Sequence, residues 1–342
     1  MSMNQLRAWA NPRRILLATD LTDLGFTLPI AKQQALAYKA ELLIVHILPD
    51  PNASLIDPVL MIYCDPERTR KSAETKLQNV VAETQAAGIP SSFHLVAGDT
   101  VKEIIKRSRE WKADRLIAGS HGKTKFHLHI LGSIAESLFH HINVPVLAVG
   151  PKAVPGENSV RRHMRIVFAA SLDHDSRRMA EFALSVAEIH GADIVLLHVL
   201  RNGVPEHPTT DPIRANADRM LKELLTVRPV GKSRPVCEVV YGQSAESILA
   251  YAKRHAADMM ILGASAHSAF DARFIPGTAY RVLCESLCPV LVLKHESAWH
   301  GIPEYCTKDR NAHVETLTTG CYTNTTALIR GNGMSTLEQS GP

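Results

Sequence analysis

The chain contains no long apolar run, no paired cysteines and no block of a single charge. None of its hydrophobic stretches approaches the roughly 20 residues that a membrane helix needs, although 45% of the 342 residues are hydrophobic. The six cysteines, at 64, 237, 284, 288, 306 and 321, form no CxxC pair. Cys284 and Cys288, four residues apart, read as free thiols packed together at the end of one helix. A formal net charge of +4 without a dense Lys/Arg run speaks against a nucleic-acid groove. Arg7, Arg13 and Arg14 mark the N-terminus, but no apolar h-region accompanies them. A signal peptide is therefore not expected, and a soluble cytoplasmic protein is. Two phosphate-binding fingerprints are also missing. His121-Gly122-Lys123-Thr124 lacks the glycine five positions before its Gly-Lys, where Ile117 stands, so a P-loop is excluded. No G-x-G-x-x-G follows either first strand, which removes the dinucleotide fingerprint.

What the chain does contain is a duplication. Arg14–Asp20 matches Arg165–Ser171, Ala40–Leu48 matches Ala192–Leu200, and Val96–Ile105 matches Val240–Leu249. Ala113–Gly119 then matches Ala257–Gly263, and Val144–Val149 matches Cys288–Leu293. Five matched blocks in one order indicate two tandem copies of a single domain, which the length readily accommodates. The expected boundaries are 1–150 for copy one, 151–164 for a linker marked by Pro151, Pro155, Gly156, Asn158 and Ser159, and 165–295 for copy two. Residues 296–342, dominated by Thr, Gly and Asn without periodicity, are expected to form a disordered tail.

Within each copy, apolar runs alternate with longer amphipathic stretches, the pattern of βαβ units and a parallel sheet. Runs such as Leu42–Val45 and Ile194–Leu197 are apolar without interruption, as strands covered by helices on both faces should be. Asp173 to Asp175 are placed to cap a helix whose Met179, Phe182, Ala183 and Val186 recur on one face. Thr100-x-x-Glu103 reads as a capping box. The 49–66 segment, with Pro49, Pro51, Pro58 and Pro66, reads as a long loop near the site. The expected fold is α/β: two doubly wound sandwiches, each of five parallel strands and four helices. Ligands of such sheets sit beyond the carboxyl ends of the strands where the strand order reverses. Asp20 and Gly119 fall at such ends.

The chemistry concentrates in Gly119-x2-Gly122-x9-Gly132-Ser133, which leaves one apolar strand and opens a helix before the next. Glycines let backbone N–H groups approach an anion, and a helix N-terminus favours negative charge. This G-x2-G-x9-G-[ST] spacing, with Ala18-Thr19-Asp20 after the first strand and His46-Ile47 in the second, resembles the universal stress protein family. The resemblance covers roughly residues 12 to 294 and implies a Rossmann-like fold of the adenine nucleotide alpha hydrolase type. It also implies bound ATP, carried with Mg²⁺ on its phosphates. In that reading Thr19, Asp20 and Ile47 line the adenine and ribose, and the Asp20 carboxylate accepts a ribose hydroxyl. Gly119, His121 and Gly122 present backbone to ribose and phosphates, and Gly132 and Ser133 hold the outer phosphates. Lys123 and Lys125 are either additional screening or solvated loop residues. The Ser-Gly-Gly-x-Asp-Ser loop of the fold-related ATP pyrophosphatases and the paired class I synthetase signatures are absent.

Other chemistries find less support. His127, His129, His140 and His141 cluster without a Cys or carboxylate at ligand spacing, so no metal site is expected there. Ser133 has no Gly-x-Ser-x-Gly elbow around it, and no catalytic residue is assigned. In copy two, Asp20 becomes Ser171, Gly122 becomes Ala266, and Gly277-Thr278 stands one residue too far along. Val199 retains the apolar place of Ile47, and Arg273 and Arg281 read as solvated. Copy two is therefore expected to bind ATP weakly or not at all. The expected function is ATP-dependent regulation in a stress response, without enzyme activity. The alternatives are a weak ATPase or autophosphorylating enzyme with His121 near the phosphates, and a nucleotide-independent adaptor. The last strand of each copy is expected at a sheet edge, where the two copies can pair with each other and two chains can assemble further. Neither a nucleic acid nor a membrane is an expected partner.

Overall fold

The structure is a computed structural model that describes residues 3–49, 65–120, 131–153, 164–201, 211–225, 235–264 and 277–294. Copy one runs α1 (Met3–Ala10), β1 (Arg14–Ala18), α2 (Leu24–Tyr38), β2 (Glu41–Leu48) and α3 (Pro66–Ala86). It continues through β3 (Ser91–Ala97), α4 (Thr100–Glu110), β4 (Arg115–Gly119), α5 (Ser133–His141) and β5 (Val146–Val149). Copy two runs β6 (Arg165–Ala169), α6 (Ser176–His190), β7 (Asp193–Leu200), α7 (Pro212–Leu225) and β8 (Val236–Tyr241). It ends with α8 (Ser244–Arg254), β9 (Met259–Ala264), α9 (Thr278–Glu285) and β10 (Val290–Lys294). Most of the tail, the linker and the 49–66 loop lie outside the described residues.

The ten strands form one sheet in the order β3-β2-β1-β4-β5-β10-β9-β6-β7-β8. Each half is a parallel 3-2-1-4-5 arrangement, so the strand order reverses between β1 and β4 and again between β6 and β9. The halves join through β5 and β10, which pair antiparallel with Leu147 opposite Leu291. The edge strands expected from the sequence thus satisfy each other in the middle of the sheet. The reason for the sheet is apolar burial on both faces: Ile15, Leu16, Leu17, Ile44, Leu116 and Ile117 are all inaccessible to water. Met179, Phe182, Ala183 and Val186 of α6 are buried together, as their spacing predicts.

Three local expectations are corrected. The cap of α4 is Asp99, whose carboxylate accepts the Lys102 N–H at 2.9 Å. Thr100 is instead the first helical residue, because a carboxylate one position earlier caps more strongly than the hydroxyl. Cys284 lies within α9, but Cys288 lies beyond its end, held by Ser286. They therefore do not share a helix. Arg281 is not simply solvated: it is paired with Glu246 at 3.2 Å and with Glu285 at 3.8 Å. Among the described residues no helix is long and apolar enough to cross a membrane.

A second contact between the copies lies at the opposite end of the strands from the β1–β4 carboxyl termini. Tyr38 and His190 occupy equivalent positions, the last residue of α2 and of α6, and they meet each other. Their rings pack edge to face, and the Tyr38 hydroxyl lies 2.9 Å from His190 Nε2. The Arg115 guanidinium lies 4.8 Å from the centre of the Tyr38 ring. Arg115 is fully buried and donates to Gln34 Oε1 at 2.6 Å and to the Trp9 carbonyl at 3.0 Å. The helix α1, which the sequence analysis did not anticipate, is therefore part of this junction, with Leu6, Trp9 and Ala10 buried.

Burial, helped by the neighbouring Arg115 charge, lowers the His190 pKa from 6.5 to about 4. The folded state thus keeps His190 neutral while the unfolded chain takes up a proton. Stability from this site is fully present above pH 6.5 and lost as pH falls toward 4. Chemical denaturation at pH 7 and pH 5 should show the wild type losing about 1–2 kcal/mol more than His190→Gln. A second expectation concerns Lys39, which ends α2 in the left-handed conformation (φ 49°), where copy two places Gly191 (φ 57°). Lys39→Gly should raise the stability by about 0.5–1 kcal/mol, read from the denaturation midpoint.

Candidate functional site

The crevice at the β1–β4 reversal is built from three backbone features. Thr19 and Asp20 follow β1 directly, and the Thr19 N–H continues the ladder to the Val45 carbonyl at 3.0 Å. The chain then turns sharply through Leu21, a non-glycine residue at φ 67°. Leu172 repeats this conformation in copy two at φ 59°. A left-handed leucine is costly, and such strain persists only where the surroundings over-determine it. In copy one, the Leu21 N–H donates to Thr19 Oγ1 at 2.9 Å, and the Thr22 N–H and hydroxyl donate to Asp20 Oδ1 at 2.8 and 2.6 Å. His46 Nδ1 lies 2.8 Å from the Thr19 carbonyl, and His198 makes the same contact with Ala170. This histidine is thus a brace of the turn in both copies.

From the other side, β4 ends at Gly119, and the Ser120 N–H reaches the Val149 carbonyl at 2.9 Å. The Gly132 N–H then donates to the Ser120 carbonyl at 3.0 Å, which brings the start of α5 back to the end of β4. Gly132 is the N-cap of α5 and offers no side chain to its first turn. Ser133, the first helical residue, is exposed. Ile47 is 8% exposed and belongs to the same apolar cluster as Ala18, Ala118 and Leu131. The fold therefore brings together Thr19, Asp20, Ile47, Gly119, Gly132 and Ser133. His121 and Gly122 lie outside the described residues, as do Lys123, Lys125, His127 and His129. His141 sits in the last turn of α5 and contacts the Ser137 carbonyl through Nδ1 at 2.8 Å.

The sequence reading missed Asp23. As the residue before α2 it has the place of an N-cap, yet its carboxylate makes no capping bond. It turns inward instead, where Thr19 Oγ1 donates to Oδ1. Its other oxygen lies against Gly119: a Cβ built on that glycine would stand 2.7 Å from Asp23 Oδ2. A side chain at 119 would force the carboxylate to shift, so the motif glycine has a local steric role. Asp175, the N-cap of α6, is the counterpart in copy two. There the carboxylate faces His174 at 3.2 Å and Arg178 at 3.7 Å, and Thr19 has become Ala170. The recurrence of an aspartate before the first helix of each copy was the signal available in the sequence.

Burial, the largest cause, together with the nearby Asp20 charge, raises the Asp23 carboxyl from 3.8 to about 6, while the Thr19 bond opposes the shift. The sign is the reverse of the usual carboxylate. The folded state holds the proton that the unfolded chain has released, so stability declines as pH rises from about 4 through 6. Asp23→Asn keeps an acceptor for Thr19 and removes the charge. It should stabilise the protein by about 1–3 kcal/mol at pH 7.5 and change little at pH 4, read by chemical denaturation.

Comparison with known proteins places this geometry. The model of the Universal stress protein family matches residues 11–150 and again residues 163–294. The Universal stress protein MJ0577 of Methanocaldococcus jannaschii is 27% identical over 158 residues, covering 41% of this chain and 96% of that protein. A Universal stress protein of Thermus aquaticus is 28% identical over 127 residues, 36% of this chain and 91% of that one. The crystal structure of a universal stress protein from Archaeoglobus fulgidus DSM 4304 superposes with a TM-score of 0.65 at 24% identity. It covers 84% of this chain and 97% of its own. The family domain is thus present twice in succession, with the five-stranded parallel half-sheet as its unit, and the chain belongs to the universal stress protein family.

Proposed function

We propose that the chain is a cytoplasmic regulatory protein that binds one ATP, in the β1–β4 crevice of copy one. The observation that carries this reading is the meeting of three elements at the strand reversal. The turn Thr19–Asp20, the glycine end of β4 and the uncapped start of α5 are joined through Gly132 and Ser120. Doubly wound sheets bind ligands at this place. A helix whose cap residue has no side chain leaves its first amides to an anion. In this reading Thr19, Asp20 and Ile47 face the nucleoside, with one Asp20 oxygen committed to its turn and the carboxylate accepting a ribose hydroxyl. Gly119, His121 and Gly122 supply backbone, and Gly132 and Ser133 hold the outer phosphates. Glu136 adds a negative charge to the first turn of α5. That favours a triphosphate carried with Mg²⁺ over the bare anion.

Copy two keeps a glycine cap, Gly277, before α9 but lacks the groups on the ribose side, so it binds ATP weakly or not at all. Ala170 and Ser171 replace Thr19 and Asp20, and the Ser171 hydroxyl is spent on Asp173 at 2.7 Å. Loss of a charge-assisted hydrogen bond of this kind costs about 1.5–3 kcal/mol. Occupancy of copy one would then act by favouring one conformation or partner surface.

The decisive measurement is the nucleotide content and calorimetric titration of the full chain with Mg-ATP. One ATP per chain is expected, lost in Gly132→Val and weakened about ten- to a hundredfold in Asp20→Ala. Two per chain would overturn the assignment to copy one, and none would leave a nucleotide-independent adaptor. Phosphate release that His121→Ala abolishes would make the protein an enzyme.

A further inference from the structure

Helix α5 lies at the proposed phosphate end of the site, and an accounting of its backbone leads into copy two. A helix leaves N–H groups unsatisfied at its start and carbonyls at its end. At the start, the Leu131 N–H lies immediately before the cap Gly132, in a residue that is 1% exposed. It donates to the hydroxyl of Tyr280 at 3.2 Å. Tyr280 is a buried residue of α9, in copy two. At the end, the carbonyl of the C-cap residue Ile142 accepts from Lys294 Nζ at 2.8 Å. Lys294 is the last residue of β10, also in copy two. A cation at a helix C-terminus is favoured by the helix dipole as well. The residue that leads into the cap of α5 and the C-cap residue that follows its last turn are therefore both held by side chains of the other copy.

The arrangement is not returned at Lys294. By the match of Val144–Val149 to Cys288–Leu293, its counterpart in copy one is Gly150, which has no side chain to offer. Counted from the prolines after each helix, Pro145 and Pro289, Tyr280 corresponds to Glu136; counted from the glycine caps, it corresponds to Ala135. Neither carries a hydroxyl. The repeat that has lost the carboxylate and the threonine of the crevice is thus the repeat that supplies the two struts.

We propose that copy two serves as a brace for the phosphate-binding helix of copy one, with Tyr280 and Lys294 as positioning residues of a site they do not touch. This rests on the ATP reading for its effect on binding, though the brace itself does not depend on it. The test uses the full chain with Tyr280→Phe and Lys294→Met, measured in two ways. Without ligand, hydrogen exchange should rise about tenfold at the amides of 131–136 in Tyr280→Phe and of 138–142 in Lys294→Met. In calorimetric titrations, Tyr280→Phe should weaken Mg-ATP about tenfold and leave adenosine unchanged, because only the phosphate end is displaced. Unchanged exchange in both variants overturns the brace. Raised exchange with ATP and adenosine weakened alike, or with neither weakened, overturns the positioning role. A wild type that binds no ATP overturns the proposed function instead, and exchange alone then decides the brace. Should Tyr280→Phe not fold, Lys294→Met carries both measurements.

Discussion

The antiparallel pairing of β5 with β10 is the constraint on which the rest of the molecule depends. Each copy ends in an apolar strand, and Leu147 and Leu291 are both inaccessible to water. An unpaired apolar edge is an invitation to aggregation. By pairing these two edges, the chain turns two half-sheets into one and moves its most exposed backbone to the centre. That single join fixes the pseudo-two-fold relation of the copies. It then dictates that Tyr38 meets its own equivalent His190, and that α5 lies within reach of α9 and of the end of β10.

Much of this was legible in the residues. Five blocks repeated in order disclosed the duplication, and the uninterrupted apolar runs disclosed strands covered on both faces. That Asp20 and Gly119 stand at the carboxyl ends of strands follows from the βαβ pattern, whereas the strand order that reverses between them comes from the structure. What could not be read has a common physical character. Choosing Asp99 over Thr100 as a cap is a contest of tenths of a kcal/mol between adjacent, equally suitable residues. The inward turn of Asp23 depends on the absence of a Cβ nearly a hundred residues away, at Gly119. The contacts of Tyr280 and Lys294 with α5 join residues about 150 positions apart and leave no periodicity. Burial of Arg115, charged and at the start of a strand, runs against every compositional expectation.

The two copies also separate what belongs to the scaffold from what belongs to the site. Both retain the left-handed leucine after the first strand, the histidine that contacts the preceding carbonyl, and an aspartate before the first helix. These features hold the turn whether or not anything binds there. Thr19, Asp20 and the hydrogen bond from Thr19 to Asp23 belong to copy one alone. Two titrating groups pull in opposite directions across the same acidic range: His190 destabilises the fold as pH falls, whereas Asp23 stabilises it. Between about pH 4 and 6 the contributions of these two groups therefore offset each other.

The guanidinium of Arg115 is buried with neutral partners, and one of them is the carbonyl of Trp9 in α1. That helix packs against α6, some 170 residues further along the chain. During synthesis α1 emerges long before α6 exists, so the face of α1 that packs on α6 must wait, uncovered, until copy two is made. Contacts of such sequence separation are closed late and slowly. Of the contacts that α1 makes, those with α6 are consequently among the last to close. Copy one, however ready its own strands, cannot complete its interior alone.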